Sequence, residues 1–482
     1  MINALLVSLA AIAAFAVGLH YMRIGGVARG ILQNTSKGTA AMTNTELTDD
    51  EKEVLVRRAG VAVFLGGWSI FWRFAVCLIA AFIPIYLADA IQLANDSDVI
   101  EVMLRPAYII LVSLGLVGIV WLAKRSGSAN THESATAYNA GDRMIHMLAF
   151  SSRTLQKLAA RTDDFIFRLL NRDSENQSPI FITSLARSGT TALLNAFSDL
   201  PFVATHTYRD MPFIMAPYLW SRVNAPFRRK VKRTERAHGD GLEIDLDSPE
   251  AFDEVYWKLY WPEKYREDDI SLWHASDDKT EAISRLQTCF RKIAHVRQRP
   301  LSRYLSKNNA NIARLRLIPN VFPGAHLVVP VRRPAPHAAS LLRQHQNFIA
   351  MQTNDDFVRR YMRDIGHFEF GLLHKPIAFE GFEHSVYEPD CPDYWLVYWI
   401  AAFREVRANL DICHIILQDD LRLNANSCVR HLLAKLGFSA RAQDFTPYFR
   451  SVPDKTNESV FSPNLLEVAD SLYTEIARQA VR

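Results

Sequence analysis

Cysteine is scarce in this 482-residue chain: Cys77, Cys289, Cys391, Cys413 and Cys428 are odd in number, scattered, and nowhere spaced Cys-x-x-Cys. That excludes a zinc ribbon or a disulfide framework as the organising device and fits a reducing compartment. Excess charge of one sign is also missing. A formal net charge of +4 is small for this length, so nucleic acid is not the expected partner. There is no internal repeat, no low-complexity segment and no cluster with metal-ligand spacing, so neither a fibre nor a bound metal is expected. What is present is an ordinary globular composition, 49% hydrophobic, with something apolar added at the front.

The apolar part falls in the first 125 residues. Ala4 to Leu19 is uncharged, and no basic region precedes it, which disfavours a cleaved signal peptide. From Ala59 to Ile91 only Arg73 and Asp89 are charged, and a span is expected at Phe74 to Asp89, with Val61 to Trp72 partly in the interface. Gln92 to Arg105 reads as a short acidic connection, and Pro106 to Ala123 as a third apolar run closed by Lys124 and Arg125. Three transmembrane helices, about 4–19, 74–89 and 106–123, are therefore expected. The basic residues of the segment between the first two spans, together with Lys124 and Arg125, leave the C-terminal bulk in the cytoplasm, as in a bacterial inner-membrane protein. A eukaryotic Golgi-type protein would instead face the lumen. Residues 126–178 follow as a polar linker and one or two amphipathic helices, over Asp142 to Leu170, packed on the domain or lying on the bilayer.

The chemistry is anchored to Ser178 to Phe197, SPIFITSLARSGTTALLNAF. Pro179 to Thr183 has the β-branched and aromatic character of a buried strand, Ser184 to Thr191 is small and hydroxylic with one cation, and Ala192, Leu193, Leu194, Ala196 and Phe197 recur at helical spacing. A strand, tight loop and helix in that order aim unpaired backbone N–H groups and the positive end of a helix dipole at one spot, which suits phosphate or sulfate. The loop is not a Walker A sequence, since the first glycine and the lysine of Gly-x-x-x-x-Gly-Lys-Ser/Thr are missing.

Arg187-Ser188-Gly189-Thr190-Thr191 resembles the 5′-phosphosulfate loop of sulfotransferases that use 3′-phosphoadenosine 5′-phosphosulfate (PAPS). A second segment agrees with it. Pro323 to Leu342 reads as an apolar strand, His326 to Val331, then an Arg-Arg-Pro turn and a helix, and Ser340 stands eight positions after Arg332 as in those enzymes. Arg303 to Asn309 resembles the Lys-rich segment before this strand in bacterial members, with Asn309 where proline is usual. Further on, a buried aromatic helix at Asp393 to Leu410, a strand at Cys413 to Leu417, the Gln418-Asp419-Asp420-Leu421 turn and a helix from Cys428 resemble the family's late region. Its final Arg-x-Gly donor loop is not visible; Arg450 and Lys455 are the nearest basic residues.

The resemblance implies an α/β domain over 179–475, three-layered and P-loop-like on a central parallel sheet, with PAPS as sulfate donor and no metal. It implies that Arg187 stabilises the leaving oxygen, that Ser188, Gly189, Thr190 and Thr191 hold the 5′-phosphate, that Arg332 and Ser340 hold the 3′-phosphate, and that Lys307 contacts donor or acceptor. A general base is needed for the acceptor hydroxyl. His238, in the turn-rich stretch after the basic run Arg222 to Arg236, is the first candidate, with His206 and Glu243 in reserve. A membrane-anchored sulfotransferase acting on a carbohydrate or glycolipid at the bilayer is the leading reading. A P-loop kinase or hydrolase using Asp419 and Asp420 for Mg²⁺, and a non-catalytic membrane scaffold of the same fold, are the rivals.

Overall fold

The computed structural model describes residues 2–22, 27, 49–104, 108, 140–171, 177–224, 234–235, 243–244, 247–250, 252–383, 386–439, 442–449 and 456–481. The chain divides into two compact units, 1–132 and 133–482.

In the first unit α1 (Ile2–Tyr21) packs against α2 (Asp49–Ala90), and α3 (Asp96–Leu104) closes on both. Ala4, Val7 and Ala11 meet Ile85, Ala88, Val99 and Val102 in a small apolar core. The Arg73 guanidinium donates to the Met22 carbonyl, taking up one of the acceptors left at the end of α1. Outward, α2 presents Leu65, Trp68, Phe71, Ile79, Phe82 and Tyr86.

Three spans were expected, and the described residues show one candidate. Among the described residues one helix, Arg57–Ala90, is long and apolar enough to cross a membrane, while Asn3–Leu19 is apolar but shorter. The expected span at 74–89 is the end of a 42-residue helix rather than a separate element. Nothing in Val61 to Trp72 ends a helix, since glycine costs only about 1 kcal/mol there and continued backbone bonding offsets it. The 92–105 connection contains α3, whose first turn carries Asp96 and Asp98. The third expected span, 106–123, lies outside the described residues except for Tyr108.

The second unit opens with α4 (Ala140–Ala149) and α5 (Arg153–Leu170), the latter N-capped by Ser152, whose Oγ accepts from Thr154 and Leu155 N–H. These amphipathic helices pack on the domain. Asp163 and Asp164 clasp the fully buried Lys292 ammonium at 2.8 Å each, and His146 meets Asp364 at 3.1 Å. Then come β1 (Ile180–Ile182), α6 (Thr190–Ser198), β2 (Val203–Ala204), α7 (Pro217–Asn224), the short antiparallel pair β3 (Thr234–Glu235) and β4 (Glu243–Ile244), α8 (Glu254–Tyr260), α9 (Thr280–Val296), β5 (Arg303–Lys307), α10 (Ile318–Val321), β6 (His326–Val331), α11 (Pro334–Asn354), α12 (Asp356–Ile365), α13 (Pro392–Arg407), β7 (Cys413–Leu417), α14 (Gln418–Lys435) and α15 (Pro463–Ala477).

Five strands form one parallel sheet in the order β2-β5-β1-β6-β7. Successive side chains of a strand face opposite ways, so Phe181, Leu327 and Val329 enter one core, with α9, α11 and α13, while Ile180, Ile182 and Val328 enter the other, with α6 and α14. This is the expected three-layer α/β domain. The chain moves from β1 to one edge and back, then crosses to β6 on the other side of β1. The crevice beyond the carboxyl ends of β1 and β6 is therefore a topological switch point, where ligands bind in open α/β sheets.

Candidate active site

At the carboxyl end of β1 the chain turns sharply. Arg187 has φ 70° and Gly189 φ 100°, a conformation that side chains rarely adopt. A Cβ at Gly189 would also lie 3.4 Å from the Gln418 amide nitrogen, so the loop is held close to the start of α14. Helix α6 then begins with no side-chain cap from Gly189, leaving its first N–H groups for something outside the helix. Ser184 and Ser188 are fully buried beside this turn, and their hydroxyls have no partner among the described residues. Buried polar groups are normally hydrogen-bonded, so orphaned hydroxyls at an uncapped helix N-terminus fit an anionic group.

The loop after β6 closes on the same place. Arg332 Nη1 donates to the Arg187 carbonyl at 3.3 Å, and Arg187 Nε donates to Ser340 Oγ at 3.4 Å. Two residues that the sequence did not single out pin this arrangement. The indole N–H of Trp399 donates to His337 Nδ1 at 3.1 Å, which leaves the proton on Nε2 to donate to the Ala186 carbonyl at 2.7 Å. Both side chains are fully buried, so the loop's shape is tied to the core of α11 and α13. Asp419, the aspartate a nucleotide hydrolase would use for Mg²⁺, is ion-paired with Arg333 at 2.7 Å.

A third edge is supplied by β5. The Tyr304 and Ser306 hydroxyls donate to Asp253, and Asn308 Nδ2 donates to Glu254 Oε2 at 2.6 Å. Arg314 bonds Glu254 with both terminal nitrogens at 2.9 Å, and its guanidinium lies 4.6 and 4.2 Å from the Trp257 and Trp273 ring centres. With alternate residues fixed on that side, Asn309 is turned to the loop of β1. Thr190 Oγ1 donates to Asn309 Oδ1 at 3.2 Å, and Asn309 Nδ2 donates to Glu369 Oε1 at 3.3 Å. Glu369 Oε2 lies 3.4 Å from His367 Nδ1. Burial works against the Glu369 carboxylate, but His367 and the Lys307 charge outweigh it and hold its pKa down to about 2. Lys307, at the end of β5, is buried within this electrostatic group.

The structure thus brings Arg187, Ser188, Gly189, Thr190, Arg332 and Ser340 to one crevice, with Lys307 on its β5 side and Thr191 half-buried on the first turn of α6. The reserve candidate His206 is elsewhere. It is 1% exposed, with Nδ1 3.0 Å from Asp210 and rings of Phe252 and Tyr304 against it. Burial lowers its pKa, but Asp210 and Cys289 raise it further, to about 10. A base must give and take a proton near neutrality and reach substrate, and His206 does neither; it is a structural ion pair. Glu243 pairs with Glu235 in the β3–β4 ladder, which is not part of the five-stranded sheet. His238, Arg450 and Lys455 lie outside the described residues. Among the described residues no group of three or more His, Cys, Asp or Glu side chains is arranged to hold a metal ion.

Residues 179–372 match the model of the sulfotransferase family. No curated protein matches the chain. Among solved structures, a sulfotransferase of Mycobacterium avium (STF9) is similar at 10% identity and a TM-score of 0.41, over 74% of this chain and 95% of that one. A sulfotransferase of Mycobacterium tuberculosis H37Rv (STF1) is similar at 13% identity and a TM-score of 0.39, over 69% and 90%. The sulfotransferase domain of the Synechococcus PCC 7002 olefin synthase gives 14% identity and a TM-score of 0.27, over 63% and 90%. These three carry no residue roles to this chain.

Proposed function

Because residues 179–372 belong to the sulfotransferase family, we propose that this protein transfers a sulfuryl group from PAPS to a hydroxyl of a carbohydrate or glycolipid acceptor at a membrane. The observation that carries the donor assignment is the meeting of Arg187, Arg332 and Ser340 at the uncapped start of α6. The donor supplies the sulfuryl group and a phosphate as its leaving group. The protein's work is to position reactants and to stabilise charge.

In this reading the N–H groups at the start of α6, the Ser188 hydroxyl and the threonine hydroxyls of Thr190 and Thr191 hold the 5′-phosphate. Arg187 stabilises the negative charge that grows on the leaving oxygen, where a cation lowers the barrier most. Arg332 and Ser340 take the 3′-phosphate; a guanidinium offers a fixed fork of donors and never loses its charge. Lys307 contributes positive charge beside the transferred group. The pairing of Asp419 with Arg333 weighs against the hydrolase reading.

The membrane part of the proposal is supported by the helix Arg57–Ala90, whose 34 residues exceed the roughly 20 needed to cross a bilayer. The basic residues after Tyr21 and at Lys124 and Arg125 favour a cytoplasmic catalytic unit. Calorimetric titration of the full chain with adenosine 3′,5′-bisphosphate tests the donor assignment; micromolar binding is expected, and no binding would contradict it. Mass spectrometry of lipids and polysaccharides from cells with and without the protein, searched for a gain of SO₃, tests the acceptor class.

A further inference from the structure

Helix α5 has two faces of different chemistry. Ala160, Asp163, Asp164 and Phe167 are buried against the domain, so residues half a turn away face outward. A helix that only covers a domain carries polar side chains there. On α5 the outward stripe is instead Leu158, Phe165 and Leu169, at i, i+7 and i+11, and they are 40%, 68% and 55% exposed. One flank of that stripe is basic, with Lys157, Arg161 and Arg168 at i, i+4 and i+11. The carboxylates around it are taken up by other cations: Asp163 and Asp164 by Lys292, Asp164 also by Arg285, and Glu281 by Arg285 and Arg161. Arg168 bonds none of them. Its Nη2 donates to Thr288 Oγ1 at 3.0 Å, and Arg291 Nη2 donates to the same oxygen at 3.1 Å. Two like charges are thus gathered on one hydroxyl; burial and the Arg168 charge push the Arg291 pKa down, against a smaller pull from Asp164. A cleft of about 500 Å³ opens here, lined by Arg161, Asp164, Phe165, Arg168, Leu169 and Arg285.

We propose that this face of α5 seats the second unit on a bilayer surface that carries anionic lipid, with Leu158, Phe165 and Leu169 among the acyl chains and Arg161 and Arg168 on headgroup phosphates. The inference goes beyond sulfuryl transfer and does not depend on it. An apolar stripe with a basic flank is the pattern of a helix that lies in the membrane interface, its cations at headgroup depth. Guanidinium forks match phosphodiester oxygens, and each cation held near an anionic leaflet strengthens binding. The sign of the charge also selects among occupants. A second copy docked through the same face would set Arg161 and Arg168 against their own counterparts. Position along the chain agrees, since α5 follows the apolar first 125 residues across one polar linker.

The test uses the full chain in liposomes, with the photoreactive residue benzoylphenylalanine replacing one side chain at a time. The positions are Phe165 in the stripe, Phe71 on α2, and Leu423, which is exposed on α14 in the layer on the other side of the sheet. Adducts formed on irradiation are identified by mass spectrometry. Position 165 should give lipid adducts, about fivefold or more richer with phosphatidylglycerol present than in phosphatidylcholine alone, and position 423 should give none. Arg161→Gln with Arg168→Gln should bring the yields in the two lipid mixtures together. The mixtures are also compared with both arginines in place, so a variant that fails to fold leaves the test intact. Lipid adducts at 71 and none at 165 would overturn the proposal and leave the membrane reading of α2 standing. Adducts that join position 165 to a second copy or to another segment of the chain would overturn it too, as would equal yields in both mixtures. Lipid adducts at 165 and none at 71 would support this surface and remove the spanning helix instead.

Discussion

Two histidine–carboxylate pairs in this domain are built from the same chemistry and stand in different surroundings. His206 and Asp210 are 1% and 2% exposed, and the carboxylate is also bonded by Arg297 and by the Thr207 N–H. His367 and Glu369 stand partly open at the carboxyl ends of the strands, one asparagine away from the phosphate loop. In the first pair both ring nitrogens and Asp210 Oδ2 are engaged by the fold. In the second, both side chains are partly exposed and the carboxylate is bonded to the asparagine that meets the phosphate loop. Pairing with a carboxylate therefore does not make a histidine a base; access and position do.

The comparison can be broken at the buried pair first, where the largest effect is expected. Asp210→Ala would leave His206 and Arg297 without their shared partner, at about 3–5 kcal/mol of stability. Chemical denaturation of the purified chain measures that loss, and nucleotide affinity of the protein that remains folded should be unchanged. The pH dependence has a definite sign. A histidine raised to about 10 in the folded state binds its proton more tightly folded than unfolded. Its stabilisation is whole below the unfolded value of about 6.5 and is lost as pH climbs through about 10. The gap in stability between parent and Asp210→Ala should narrow over that window; a gap that widens with pH would show that His206 is buried neutral.

Removing a charge from the open crevice should act on rate instead. Arg187→Ala is expected to cost about 2–4 kcal/mol in the transition state, read as kcat, with stability and affinity for the PAPS donor changed far less. If unfolding shifts as far as it does in Asp210→Ala, the loop is a structural element and the contrast between the two regions fails.

Much of the frame was legible in the sequence. The strands at His326–Val331 and Cys413–Leu417 have the bounds their apolar runs predicted, and the turn after Thr183 was placed by its small residues. These are local signals, carried by a few consecutive side chains. The links from Thr190 to Asn309 and from Asn309 to Glu369 join residues 119 and 60 positions apart, and no local pattern encodes them. His367 and Glu369 sit in an irregular segment whose only marks were Gly366, Gly371 and the alternation of Phe368 and Phe370. His206 misled for the opposite reason. It lies just past a strand end, where site residues are common, but a two-residue edge strand delivers it under α9, beside Cys289. In the sequence Asn309 is only a departure from proline, and its role comes from the amide group's two partners, Thr190 and Glu369. A lone arginine in an apolar run marks a membrane boundary at Arg73, whereas α2 continues through it and its side chain reaches back to the Met22 carbonyl.

The smallest effect bears most directly on the central claim that the loops after β1 and β6 build one donor site. Arg332 should contribute about 1.5–3 kcal/mol through its contact with the 3′-phosphate. Calorimetry of parent and Arg332→Ala with adenosine 3′,5′-bisphosphate and with adenosine 5′-monophosphate, which lacks that phosphate, isolates the contact. The bisphosphate should bind the variant about one to two powers of ten more weakly, with the monophosphate nearly unchanged; equal weakening of both nucleotides would contradict the account.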